Sequence, residues 1–193
     1  MPTKVKGTEA VPKANRGPVA GPENRRALVE AARQVFAESG LAAPLSSVAK
    51  RAGVGQGSLY RHFPDRISLA AAVFDENMDA LEAVVAPPDS TLDDLLELII
   101  AQAMGSTAII ELVRLHRHDE RVAELGDRLH AVAATALDRE HAAGRIGEHV
   151  TADDIELAIS MLTQVLPWTD DTERRAVADR AWNLFHAAFA PRD

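Results

Sequence analysis

"GVGQGSLYRHF", residues 53–63, sets three glycines within five positions and follows them with Tyr60, Arg61, His62 and Phe63. Glycine-rich loops that open a helix often cradle phosphates. The question is whether these phosphates belong to a bound nucleotide or to a DNA backbone. A dinucleotide fingerprint needs G-x-G-x-x-G between a strand and a helix, and a Walker loop needs Gly-Lys-Ser/Thr. Here the spacing is G-x-G-x-G, no Gly-Lys follows, and the preceding "SSVAKRA" is patterned as a short helix. The nucleotide reading fails on both spacing and context.

Two short helices joined by a turn account for the same residues. "LSSVAKRAG" gives the first, with Val48 and Ala49 facing inward, and Gly53 supplies the left-handed residue that ends it. Val54 fills the corner. The second helix runs from about Gly55 to His62, anchored to the core by Leu59 and Phe63. Gly57 and Ser58 are small enough for the backbone to come close to a neighbour. Gln56, Ser58, Tyr60, Arg61 and His62 fall on other faces, which suits a recognition helix in a major groove.

Away from this stretch the chain reads as all-α, because apolar residues recur at helical spacing and no strand alternation competes. One stripe is Leu28, Ala31, Ala32, Val35 and Phe36, and a longer one runs from Ile67 through Phe74, Met78 and Leu81 to Val85. Ser90 with Asp93, and Thr151 with Asp154, have capping-box spacing ahead of further stripes. The last stripe is Val177, Ala181, Leu184, Phe185 and Ala188. About nine helices are expected, with no repeat period of solenoid length.

The 193 residues are 47% hydrophobic, enough for a sizeable core. The absence of Cys excludes disulfides and thiolate metal sites and fits a cytoplasmic location. Residues 1–22 are rich in Pro, Gly and Lys, without the apolar run of a secretory signal, and read as a flexible basic tail. No stretch of 18 uncharged apolar residues exists, so no membrane partner is expected. The net charge of −8 conceals a split: residues 1–66 hold 11 Lys/Arg against 5 Asp/Glu, and the rest hold 10 against 24. A basic head on an acidic body can grip a polyanion with one end.

"RLHRHDER", residues 114–121, crowds His116, His118, Asp119 and Glu120, but metal ligands on one helix normally sit four apart, and a solvated junction is the better reading. His130, His141, His149 and His186 are scattered without clear partners. No acid–base pair or nucleophile set stands out, so neither an enzyme nor a cofactor is expected.

Residues 25–69, "RRALVEAARQVFAESGLAAPLSSVAKRAGVGQGSLYRHFPDRISL", closely resemble the N-terminal domain of the tetracycline-repressor (TetR) family of bacterial transcriptional regulators. The resemblance covers about a quarter of the chain in ordered blocks: "FAESG", "VAKRAGV", "GSLYRHF", then an Arg and a Leu. It implies a helix–turn–helix domain at 23–66 and a helical ligand-binding and dimerisation domain at 67–193. It puts Tyr60 and His62 against the DNA backbone, Arg66 where a phosphate-contacting Lys is usual, and Gln56 and Ser58 where bases are read. Arg25 lies at the DNA end of the first helix, Gly57 permits close approach, and Ser46 or Ser47 replaces the usual Thr cap of the second helix. Gly55 stands in place of a common Ser.

For the body the resemblance implies an apolar effector cavity, with Met78, Met104, Ile109, Leu112, Met161 and Trp168 as candidate lining, each equally able to be core. It also implies a homodimer formed by helices near 152–166 and 172–189, with Leu162 and Leu184 as candidate contacts, reading a palindromic operator. The resulting reading is a repressor of transcription released by a small molecule. An architectural DNA-binding protein without a ligand is one alternative, and a helical enzyme is the weaker one.

Overall fold

The computed structural model describes residues 20–170 and 172–192; most of the tail expected at 1–22 lies outside them. Among the described residues the chain forms nine α-helices, one 3₁₀ turn and no strand. The head holds α1 (Ala20–Ser39), α2 (Leu45–Ala52) and α3 (Gln56–His62). The body follows with α4 (Arg66–Val85), α5 (Leu92–Gly105), α6 (Ala108–His116), α7 (Glu120–Ala142), α8 (Ala152–Val165), the 3₁₀ turn Leu166–Trp168, and α9 (Arg174–Phe189). α1 starts earlier than the tail boundary suggested, because Pro22 falls in its first turn, where a missing N–H costs nothing.

The stripes are buried largely as their spacing requires. Leu28, Ala32, Val35 and Phe36 of α1 close on Leu69, Ala70, Val73 and Phe74 of α4, and the same apolar cluster continues through Met78 and Leu81 to α5, α7 and α8. Head and body therefore share one core, and α4 passes through it from end to end. A smaller cluster joins Ile100 and Ala103 of α5 to Leu162, Leu166 and Ala178. Each fully buried Leu, Ile or Phe is worth roughly 1.5–3 kcal/mol over an exposed one.

Two helix starts differ from what their spacing predicts. Thr151 caps α8 with Asp154 as expected, but α5 is capped by Thr91 with Asp94, one residue beyond the Ser90–Asp93 pair. Ser90 is buried, and its hydroxyl donates to the carbonyls of Pro87 and Val85, closing the turn after α4. At α2 the residue before the helix is Pro44, and neither Ser46 nor Ser47 supplies a side-chain cap; both are exposed.

Polar contacts fasten the head onto the body. Glu111 of α6 accepts a hydrogen bond from the Leu41 amide at 3.1 Å, and Arg66 at the start of α4 donates to the carbonyls of Leu41 and Ala43. Arg33 of α1 reaches Asn77 at 2.8 Å and Glu76, both on α4. Arg121 of α7 bonds Asp65, the N-cap of α4, at 3.0 Å and Asp119 at 2.7 Å. Such pairs, part-exposed, contribute little to stability and act chiefly by fixing geometry.

The Arg121 link makes a test in acid. Hydrogen bonds from Arg121 hold Asp119 down at about 2. Partial burial raises the Asp65 pKa, but the Ser68 amide and Arg121 outweigh it and leave that pKa lowered. Depressed carboxylates stabilise fully above their unfolded pKa near 3.9, and the contribution fades as pH falls toward the folded value. Arg121→Met should therefore lower Tm at pH 7, and the gap from wild type should narrow as pH falls from about 4 and close only below about 2. Thermal scans of both proteins across that range check it; a pH-independent gap would contradict the link.

Candidate nucleic-acid interface

The turn between α2 and α3 is built as its glycine demands. Gly53 has φ +66°, the left-handed region that a side chain disfavours. Its amide donates to the Lys50 carbonyl at 3.2 Å and the Val54 amide to Ala49 at 3.0 Å, a Schellman closure, with Val54 packed on the core beside it. Gly55 is extended and N-caps α3 through its carbonyl alone, which accepts from the Ser58 and Leu59 amides. Leu59 and Phe63 are 1% and 2% exposed and pin the helix inward. A Cβ built at Gly55 or at Gly57 would meet nothing within 4 Å.

The outer face of α3 is open. Gln56, Gly57, Tyr60 and Arg61 are exposed, with Tyr60 at 53%, while Ser58 and His62 are half-buried. The Arg25 guanidinium sits 5.3 Å from the centre of the Phe63 ring, so the first turns of α1 lie against the end of α3. Ser46 is exposed in the first turn of α2. The sequence-derived residues Arg25, Gln56, Gly57, Ser58, Tyr60 and His62 thus gather around α3, with Ser46 on the helix before it.

Not every cation of the head is equally available. Arg51 forms a two-pronged pair with Glu38, both bonds at 2.7 Å, and this raises the Arg51 pKa and lowers that of Glu38. Arg66 is half-buried, with one nitrogen engaged by the Leu41 and Ala43 carbonyls. That bracing role, and Glu111 opposite it, gave no sign in the sequence, because the partners are 23–70 residues apart.

The body residues expected to line a cavity differ in burial. Met78 and Leu112 are core at 3% and 0% exposed, and Ile109 packs against that core. Met104 is 37% exposed, Met161 52% and Trp168 91%, so these three point outward. Helical spacing marks a residue as apolar-faced without saying which side of the helix is inside. A cavity of about 290 Å³ lies elsewhere, where α5 begins, α7 ends and α9 crosses, lined partly by Asp93, Glu140, Trp182 and His186. Leu162 is 1% exposed and belongs to the core, so it is unavailable as a dimer contact. Leu157, Met161 and Val165, four residues apart on α8, form an outward apolar row, and Leu184 on α9 is 67% exposed.

Two histidines have partners that the sequence did not indicate. His130 meets the Glu156 carboxylate, with Asp153 3.8 Å away, and His186 bonds Asp93 at 2.8 Å. The first trio brings three ligand-type atoms within 4.8 Å of one another on an exposed surface, where His–carboxylate pairing already accounts for them. The His-rich stretch 114–121 is the end of α6, a turn, and Asp119 capping α7. Among the described residues no single helix is long and apolar enough to cross a membrane; only α5 and α6 together pass that test, and they are bent by 93°.

Comparison with known proteins agrees with this architecture. Residues 28–73 match the family described as bacterial regulatory proteins, tetR family. A 58-residue stretch is 38% identical to an HTH-type transcriptional regulator of Staphylococcus aureus; it covers 30% of this chain and about a third, 31%, of that relative. Among solved structures, a TetR transcriptional regulator from Streptomyces coelicolor is 26% identical with a TM-score of 0.64, covering 88% of this chain and 99% of its own. Salmonella enterica GusR (21% identical, TM-score 0.61, 91% and 98% covered) shares the fold. So does FadR from Bacillus subtilis, solved in complex with stearoyl-CoA (19% identical, TM-score 0.57, 81% and 96% covered). The head thus carries the sequence of the tetR family of bacterial regulatory proteins, and the chain as a whole, with its six-helix body, shares the fold of TetR-family structures.

Proposed function

We propose that the chain is a sequence-specific regulator of transcription that grips operator DNA as a homodimer and releases it when a small molecule enters the body. The observation that carries the DNA reading is the outer face of α3. Its apolar side is locked by Leu59 and Phe63, and its free side offers Gln56, Ser58, Tyr60 and Arg61 on a helix short enough for a major groove. Neither Gly55 nor Gly57 has a positive φ, and nothing inside the chain crowds a Cβ there. Their smallness fits an approaching DNA backbone.

In this reading Tyr60, His62 and Arg25 position the head on phosphates, while Gln56 and Ser58 meet base edges. Arg66 contributes by bracing the loop that presents Ser46 and α2, as well as by its charge. The head, residues 23–66, is one functional unit, and the body, 67–193, is the other, with α4 as their joint. Salt dependence tests the reading. If about six phosphates are neutralised, log K against log salt should slope near −5. Tyr60→Ala should weaken binding to all sequences alike. Gln56→Ala should relax the motif selected from a random DNA pool at one or two positions per half-site, since a good bidentate pair discriminates by about 1–3 kcal/mol. A salt-independent affinity, or an unchanged motif, would count against these roles.

Dimerisation is supported by the row Leu157, Met161 and Val165 together with Leu184, apolar side chains left outward by helices whose other faces are buried. Two copies related by a two-fold axis would cover that face and set two recognition helices one helical turn of DNA apart, about 34–36 Å. Met161→Glu and Leu184→Glu should each shift the protein to monomer in sedimentation while leaving its helical content intact. Leu162→Glu should instead unfold it, as a charge would enter the core. A wild-type monomer at micromolar concentration would overturn the dimer.

A further inference from the structure

The cavity of about 290 Å³ between α5, α7 and α9 has a lining unlike the apolar core around it. One wall is aromatic. Trp182, His186 and Phe189 stand on one face of α9, with Trp182 edge-on to His186 at 4.6 Å and to Phe189 at 6.4 Å. The Trp182 indole N–H donates to Asp93 Oδ1 at 2.8 Å, and His186 Nε2 meets the same oxygen at 2.8 Å. Both contacts fall on Oδ1, which leaves Oδ2 without a hydrogen-bond partner among the described residues and able to accept from a donor. The opposite wall carries Glu140, 5% exposed. It accepts from the Leu92 amide at 3.2 Å and from Arg145 at 2.6 and 2.9 Å.

The charge of this lining is one-sided. Asp93 and Glu140 stand against Arg145, which bonds Glu140 through two nitrogens and holds its pKa below the usual carboxylate range, while His186 pairs with Asp93. An anion entering here would face Asp93 and a guanidinium that already has two of its three nitrogens bonded to Glu140. A cation would meet Asp93 Oδ2 on one side and the indole of Trp182 on the other, an arrangement that favours positive charge twice over. The volume admits a molecule of about ten non-hydrogen atoms at roughly 30 Å³ each. We propose that this cavity binds a small organic cation, an ammonium or guanidinium group carrying a compact apolar or aromatic portion that rests against Trp182 and Phe189.

Binding here ties the first turn of α5 and the end of α7 to α9, which presents Leu184 on its outward side. The cation would therefore set the position of a helix in the dimer face. That regulatory consequence rests on the reading under Proposed function; the binding itself does not.

Isothermal titration calorimetry on the full chain, without DNA, tests the site with phenethylammonium, its uncharged counterpart 2-phenylethanol, and the anion phenylacetate. The cation should bind about tenfold or more tighter than the alcohol, with phenylacetate weaker still, as one charge-assisted hydrogen bond is worth that factor. Asp93→Asn should cost the cation about the same factor without helping the alcohol. Phe189→Ala should weaken both cation and alcohol, and Tm and circular dichroism confirm that each variant is folded. Equal affinities for the three probes, no heat from the cation at millimolar concentration, or an Asp93→Asn protein that binds as wild type would overturn the site. Adding phenethylammonium to the complex with a selected operator separates the two ideas: binding without release leaves the site standing and removes its effector role.

Discussion

The apolar stripe of α4 is buried against α1 at one end and against α5 and α7 further along, so one twenty-residue helix belongs to the cores of both head and body. A packed helix resists bending, because separating close-packed side chains forfeits their contacts at once. Any movement of the body that shifts α4 must therefore move the head. The Asp65–Ser68 capping box makes the start of this helix definite, and Arg66, its first residue, holds the loop before α2.

Around this shared rod the polar contacts decide orientation more than stability. Glu111 holds the Leu41 amide from α6, Arg33 reaches α4 from α1, and Arg121 holds the cap of α4 from α7. Each is part-exposed and weak alone. Together they make the seating of the head depend on α6 and α7. Arg128 adds a similar clasp within the body, bonding Asp79 and Glu82 of α4 at 2.7 Å. Its pKa is raised, first by the Glu82 hydrogen bond and then by that of Asp79.

The charge split acquires a geometric meaning in this frame. Carboxylates and cations pair in both directions across the joint: Glu76 of the body restrains Arg33 of the head, and Asp65 at the end of the head holds Arg121 of the body. The cations on the outward side of the head, Arg25 and Arg61, are exposed. The basic surface is thus concentrated beside α3, where a polyanion would lie.

Much of this was legible from the chain alone, because local rules governed it. Gly53 had to be left-handed, Leu59 and Phe63 had to face inward together, and the stripes of α1, α4 and α5 had to be buried. Helical spacing then left Gln56 and Tyr60 on the free side of α3, and the resemblance to a known head implied their roles against DNA. Other features needed the tertiary structure. Ser90 or Thr91 each had a partner three residues on, and only the closing of the turn after α4 chose Thr91. Met161, Leu162 and Trp168 all read as apolar positions of the same region, yet Leu162 is core while the other two face outward. Asp93, Trp182 and His186 meet across about 90 residues, and Glu111 reaches Leu41 across 70. Periodicity reports that a helix has an apolar side, but which neighbour covers it depends on crossing angles and turns that act over the whole fold. Contacts between distant polar side chains have no period at all, so the cavity and the clasps emerge only when the helices are packed.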